Sequence, residues 1–216
     1  LQRQRGGLPS PTFTLVFFAA LMVVQFYASI LLQELDMLPM ILGTQYGMIL
    51  APVLLAVAAF GFTPRTTFAL QRPPVKGLVA ALLIGISAWT FAAGVLLRLL
   101  PPPDSLSEAL KKAVLLGDKP GSLALALLVI AITPAVCEEL YFRGLILSGL
   151  RRLGMWPALI ISALMFGILH ASLYRLLPTA FLGLLLGYVV WKTGSILASI
   201  LVHALNYGIA VVLIHN

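Results

Sequence analysis

Glu138 and Glu139, with Arg143 four residues on, sit in the stretch Pro134-Ala-Val-Cys-Glu-Glu-Leu-Tyr-Phe-Arg143, inside an apolar run from about Ser122 to Leu150. A charged side chain at bilayer depth costs about 3 kcal/mol on insertion scales, so such groups face a bundle interior or a wet cavity and mark function. On a helix Glu139 and Arg143 are one turn apart and can pair, while Glu138 projects about 100° away, on the face shared by Pro134 and Phe142. The Glu139–Arg143 pair can equally be a structural brace between helices. Glu138 has no second cation near it in sequence, and a buried carboxylate of that kind suits proton transfer. Pro134 removes a backbone hydrogen bond one turn before Glu138, which can kink the helix and free a carbonyl.

Two later apolar segments each carry an imidazole. Phe166-Gly-Ile-Leu-His170 places an aromatic ring and His170 on one helical face, and His203-Ala-Leu-Asn206 places an imidazole and an amide on another. Either histidine alone reads most simply as a helix-to-helix hydrogen-bonding group. The third, His215, lies at the last turn and reads as solvated. Taken together, a Glu pair with Arg, two His and one Asn from three different helices supply the parts for hydrolysis: a base, a group to hold water, and donors for an oxyanion.

The elements that position these groups follow from composition. Of 216 residues, 61% are hydrophobic and 10% charged, and the mean hydropathy is +1.05. That excludes a soluble domain and implies an all-α, polytopic membrane bundle. Seven segments have about the length a bilayer needs: 12–33, 40–62, 77–99, 122–149, 155–172, 177–191 and 195–214. The sixth is short and glycine-containing (Gly183, Gly187). The first three carry no ionisable residue except Arg98 near an end, where it can snorkel. The chain thus divides into a basic tail, 1–11, a scaffold region with an outer amphipathic loop, 12–121, and a catalytic region, 122–216. There is no internal repeat. Ser105 to Leu116 has helical spacing of apolar residues and fits either the outer membrane surface or a solvated connector.

Loop charges sort by side. Arg3, Arg5, Arg65, Arg72, Lys76, Arg151, Arg152 and Lys192 fall in one set of alternate segments with no acid among them. Arg98, Lys111, Lys112, Lys119 and Arg175 share the other set with Glu34, Asp36, Asp104, Glu108 and Asp118. The positive-inside rule makes the first set cytoplasmic and runs the fourth span inward. The net charge of +7 is then a topology signal and an attraction to anionic membrane lipid; it does not point to nucleic acid. A single cysteine, Cys137, excludes an internal disulfide and a multi-cysteine metal site.

The three motifs resemble those of the CPBP (CAAX protease and bacteriocin-processing, or Abi) family, which includes the type II CAAX prenyl endopeptidases: Glu-Glu-x-x-x-Arg, Phe-x-x-x-His, and a last His followed by Asn or Asp. They stand here as Glu138-Glu139-Leu-Tyr-Phe-Arg143, Phe166-Gly-Ile-Leu-His170 and His203-Ala-Leu-Asn206, each in its own span, over about 123–210. The departure is at the end, where the family commonly has its polar residue four after the histidine and this chain has Tyr207. The resemblance implies an intramembrane endopeptidase acting on a peptide or membrane-protein substrate in a prokaryotic cell membrane. In it Glu138 with His170 would activate water, His203 and Asn206 would stabilise the oxyanion, and Glu139, Arg143 and Phe166 would support the site.

Some accounts of the family invoke a metal. Two His and one Glu could ligate zinc and leave a water position; against this, the compact His-Glu-x-x-His pattern is absent and a metal would consume the free carboxylate that a base mechanism needs, so no cofactor is expected. Every Asp lies in a loop, so no aspartyl pair can form at depth, and Ser87 lacks the following Gly of the serine-type motif. The competing class is a non-catalytic bacteriocin-immunity or transporter-accessory module. The first residue, Leu1, and the linker-like tail fit a piece of a longer chain, such as a fused or associated transporter permease. At 1.5 Å rise per residue, Glu138 and His203 fall at similar depths from the inner ends of their helices. His170 falls deeper, so the fifth helix must begin deeper or tilt for all three to meet.

Overall fold

The computed structural model describes residues 7–32, 34–99, 101–114 and 122–215. Most of the 1–11 tail, Arg3 and Arg5 included, lies outside the described residues, as do Asp118 and Lys119. The described chain is all-helical, and the protein is an integral membrane protein. Its elements are α1 (Pro11–Leu32), α2 (Met37–Phe60), α3 (Val75–Leu99), α4 (Asp104–Val114), α5 (Ser122–Leu153), α6 (Met155–Leu169), α7 (Leu173–Thr193) and α8 (Ile196–His215).

Burial ranks the helices. Half of the most apolar window of α5 is buried inside the bundle, against 11% of that of α1. Helix α1 buries only Thr14, Leu21 and Ala28, a single stripe at a seven-residue repeat, and turns Val16, Val23, Phe26 and Leu31 outward. In a bilayer those outward side chains meet lipid. Helix α5 is the axis around which the others pack.

Six helices are long and apolar enough to cross a membrane, and α6, at 15 residues, is shorter. The short element is therefore the fifth span and not the sixth. Helix α7 begins at Leu173, ahead of Pro178, because Ser172 is extended and its carbonyl accepts from Arg175 and Leu176. Its glycines are contact points: a Cβ on Gly183 would lie 3.1 Å from the Ala163 Cα, and one on Gly187 would lie 2.9 Å from a Leu159 methyl. They let α6 and α7 approach closely. Gly154, at φ 90°, turns α5 into α6 within one residue, and α6 is only about 22 Å long at 1.5 Å per residue. His170 thus emerges at the end of a short helix inside the bundle.

Helix α5 carries two π-helical stretches, Leu127–Ile132 and Leu140–Ile146, and α2 carries one, Gly43–Leu50. Pro134 follows the first stretch, where the wider turn accommodates the lost i−4 hydrogen bond. The ends of the bundle sort as the loop charges do. Ser195 Oγ bonds the Gln71 carbonyl, Ile196 N bonds the Ala69 carbonyl at 3.1 Å, and the Arg151 guanidinium lies 5.6 Å from the Trp191 ring, so the basic loops meet at one end. At the other, Val114 of α4 packs on Ala126 and Val211. There His215, expected in water, is 3.0 Å from Ser122 Oγ and ties α8 to α5.

Candidate active site

Glu139 is fully buried, and both of its oxygens are engaged. Oε1 accepts from Arg143 Nη1 and from His203 Nδ1, each at 2.9 Å, and Oε2 accepts from Ser199 Oγ. Arg143 also donates through Nη2 to the Gly183 carbonyl at 2.9 Å, and its guanidinium stands 4.5 Å from the Phe166 ring centroid. A buried charge is tolerable only when paired and bonded in this way. Because a carboxylate only accepts, His203 Nδ1 carries a proton, and Glu139 thereby selects the neutral tautomer in which Nε2 presents a lone pair.

Glu138 faces the other edge of that imidazole. Its Oε1 accepts from Gln45 Nε2 of α2 at 2.8 Å. Its Oε2 lies 3.9 Å from His203 Nε2, too far for a direct hydrogen bond. Both atoms are buried, and neither has a hydrogen-bond partner among the described residues. In the neutral tautomer two acceptors face each other, an arrangement that is costly if left unpaired.

His170 joins from the side. Its Nδ1 donates to the Phe166 carbonyl at 2.9 Å, so Nε2 takes the Tyr207 hydroxyl, at 3.4 Å. Ala171 behind it has φ 47°, a left-handed conformation that costs a non-glycine residue energy and fixes where the α6–α7 turn places His170. Phe166 is the common floor, 5.0 Å from the His170 ring and 5.8 Å from the His203 ring. The Tyr207 ring packs on His203 at 5.0 Å. Asn206 instead lines a cavity of about 180 Å³ among α3, α7 and α8, with Ala88, Trp89, Thr179 and Tyr207.

The donor set does not make a metal cage. Among the described residues no three His, Cys, Asp or Glu side chains are placed to hold an ion. Glu138 and His203 converge, but His170 has both ring nitrogens committed elsewhere, and a catalytic zinc needs three protein ligands.

Residues 120–209 match the family model described as type II CAAX prenyl endopeptidase Rce1-like. The match covers less than half of the chain. No curated protein and no solved structure matches the chain. At the level of the family the activity is proteolysis, and the Rce1-like segment contains α5 through most of α8, with Glu138, Glu139, Arg143, Phe166, His170, His203 and Asn206 all inside it.

Three polar groups of the cluster were not singled out from sequence. Ser199 lies one turn before His203, so the same helical face already pointed to it. Tyr207 stands one turn after His203 and is closer to its face than Asn206, three residues on. Gln45 lies outside the Rce1-like segment altogether; the available signal was a lone amide within an apolar span, which in lipid must find a partner.

Proposed function

We propose that this chain is an intramembrane endopeptidase in which Glu138 and His203 hold and activate the attacking water. The observation that carries the reading is the pair of buried atoms without a partner among the described residues, Glu138 Oε2 and His203 Nε2, 3.9 Å apart. Water has two O–H groups and is the smallest molecule that satisfies both at once, leaving an oxygen lone pair for a peptide carbonyl carbon. On attack one proton passes to Glu138. The carbonyl becomes an oxyanion, and collapse breaks the C–N bond while Glu138 returns the proton to the leaving amine. Glu139 steadies the imidazole through Nδ1, as a carboxylate behind a catalytic histidine does.

The oxyanion falls to the Asn206 amide, an N–H donor in the cavity it lines; the Tyr207 hydroxyl has one proton, and that proton goes to His170 Nε2. This shares the roles differently from the family resemblance, which paired Glu138 with His170 and gave the oxyanion to His203 and Asn206. A non-catalytic accessory role accounts for the Glu139–Arg143–Ser199 network but leaves the two facing acceptors without a purpose.

The test is hydrolysis by the purified chain in lipid nanodiscs of an internally quenched peptide with a prenylated Cys-aliphatic-aliphatic-X end, run in ¹⁸O-water. We expect one solvent oxygen in the new carboxyl group, and a loss of at least about 100-fold in E138Q at unchanged thermal stability. Full activity of E138Q would falsify the assignment.

A further inference from the structure

We infer that Gln45, in the second membrane helix and outside the Rce1-like segment, is a positioning residue that aims the Glu138 carboxylate at His203. The inference rests on the proposed hydrolytic reading of Glu138. Gln45 is buried, and its Nε2 is 2.8 Å from Glu138 Oε1. The amide must be oriented this way, since its oxygen would only repel a carboxylate oxygen. With Oε1 engaged, Oε2 is the oxygen left facing His203.

Two features argue against simple helix adhesion. The Gln45 Oε1 atom is buried with no partner among the described residues, so the amide is half satisfied there, and an adhesive residue at this depth would gain by pairing both ends. It also sits on the π-helical stretch Gly43–Leu50, with Tyr46 beside it contacting Thr133 of α5 at 3.4 Å. The widened turn presents two consecutive residues to one neighbouring helix, which a regular α-helix, stepping 100° per residue, does poorly. Tyr46 meets α5 one turn and more from the carboxylate; Gln45 alone reaches it. The two therefore separate adhesion from aim.

The experiment compares Q45M, which keeps volume and removes the donor, with Y46F, which removes only the neighbouring contact, and E138Q as reference. A misplacement of about 1 Å at a reacting group can cost about 100-fold. We expect Q45M to lower kcat on the prenylated quenched peptide by 10- to 100-fold, as estimated from that scale, with KM unchanged. Y46F should lower thermal stability about as much as Q45M and leave kcat intact. An experimental structure of Q45M should show the Glu138 carboxylate rotated away from His203. Normal kcat in Q45M beside a dead E138Q, or a Q45M structure with the 3.9 Å separation preserved, overturns the inference alone. An active E138Q, or a wild-type chain that leaves the peptide uncut, counts against the hydrolytic reading, and the Q45M structure then still decides the positioning.

Discussion

His203 Nε2 and Glu138 Oε2 face each other at 3.9 Å, and each is fixed from behind by a different residue. Glu139 holds the imidazole through Nδ1 and Gln45 holds the carboxylate through Oε1. Three helices, α2, α5 and α8, thereby set one distance, and preorganisation of this kind is what allows a site to act without rearranging at the moment of reaction.

Unequal roles for the two histidines follow. H203Q removes the lone pair facing Glu138 and should lose activity as completely as E138Q. H170Q disturbs only the partner of the Tyr207 hydroxyl and should retain roughly 1–10% of the wild-type rate, the scale of a small misplacement beside the reacting groups. Steady-state rates on the quenched peptide decide it. An inactive H170Q beside an active H203Q would return the water to Glu138 and His170.

The Glu139–Arg143 pair should govern stability. Both side chains are almost wholly buried, so E139Q strands the guanidinium and R143M strands the carboxylate, each costing about 3–5 kcal/mol. The double variant should cost less than the sum, because neither charge is left behind. Unfolding in detergent, followed for all three variants, gives the coupling. Strict additivity would show that the pair does not hold the bundle.

How much was legible beforehand depends on which physics wrote each feature. The spans were readable because lipid demands long apolar segments, and the Glu139–Arg143 pair because four residues make one turn. The two π-helical stretches of α5 and that of α2 leave no trace in hydropathy, and they set which faces Glu138 and Gln45 present. Length is less legible where glycines fall. Gly183 and Gly187 suggest a short sixth span, whereas α7 runs through them and they are where α6 docks. Gln45 carries no charge to mark it within an apolar span, and its role becomes visible only when α2 is seen against α5.

Removing metal should change nothing. With His170 committed to Phe166 and Tyr207, only two of the three ligands a catalytic zinc needs converge. Extensive chelation followed by assay should leave the rate within about twofold, well short of the tenfold that 1.4 kcal/mol represents. Loss of activity restored by stoichiometric zinc, and abolished again in H170Q and H203Q, would require the cluster to rearrange around an ion.

The segregated loop charges predict sidedness. Cys137 is the sole cysteine and is buried, so single cysteines can be introduced into a C137A background. A cysteine at 152 should react with an impermeant maleimide only from the cytoplasmic side and one at 104 only from the other. Labelling of position 104 from the cytoplasm overturns the orientation.

Gly183 should tolerate a methyl group much less well than Gly187, although both lie on the same face of α7. At Gly187 the added Cβ would meet the end of the Leu159 side chain, which can turn aside. At Gly183 it would stand 3.1 Å from the Ala163 Cα and 3.1 Å from the Phe166 ring, and backbone cannot rotate away. The helices must then separate, and two functional contacts move with them: the Gly183 carbonyl that accepts from Arg143, and the Phe166 ring beneath His170 and His203. Overpacking of this kind costs about 1–3 kcal/mol. We expect G183A to lie at the upper end in thermal unfolding and to lose at least about tenfold in kcat through displaced side chains. G187A should stay within about 1 kcal/mol and near the wild-type rate, the usual cost where a neighbour can repack. Equal effects at the two positions would mean that α6 and α7 slide freely, and that Phe166 does not fix the two histidines.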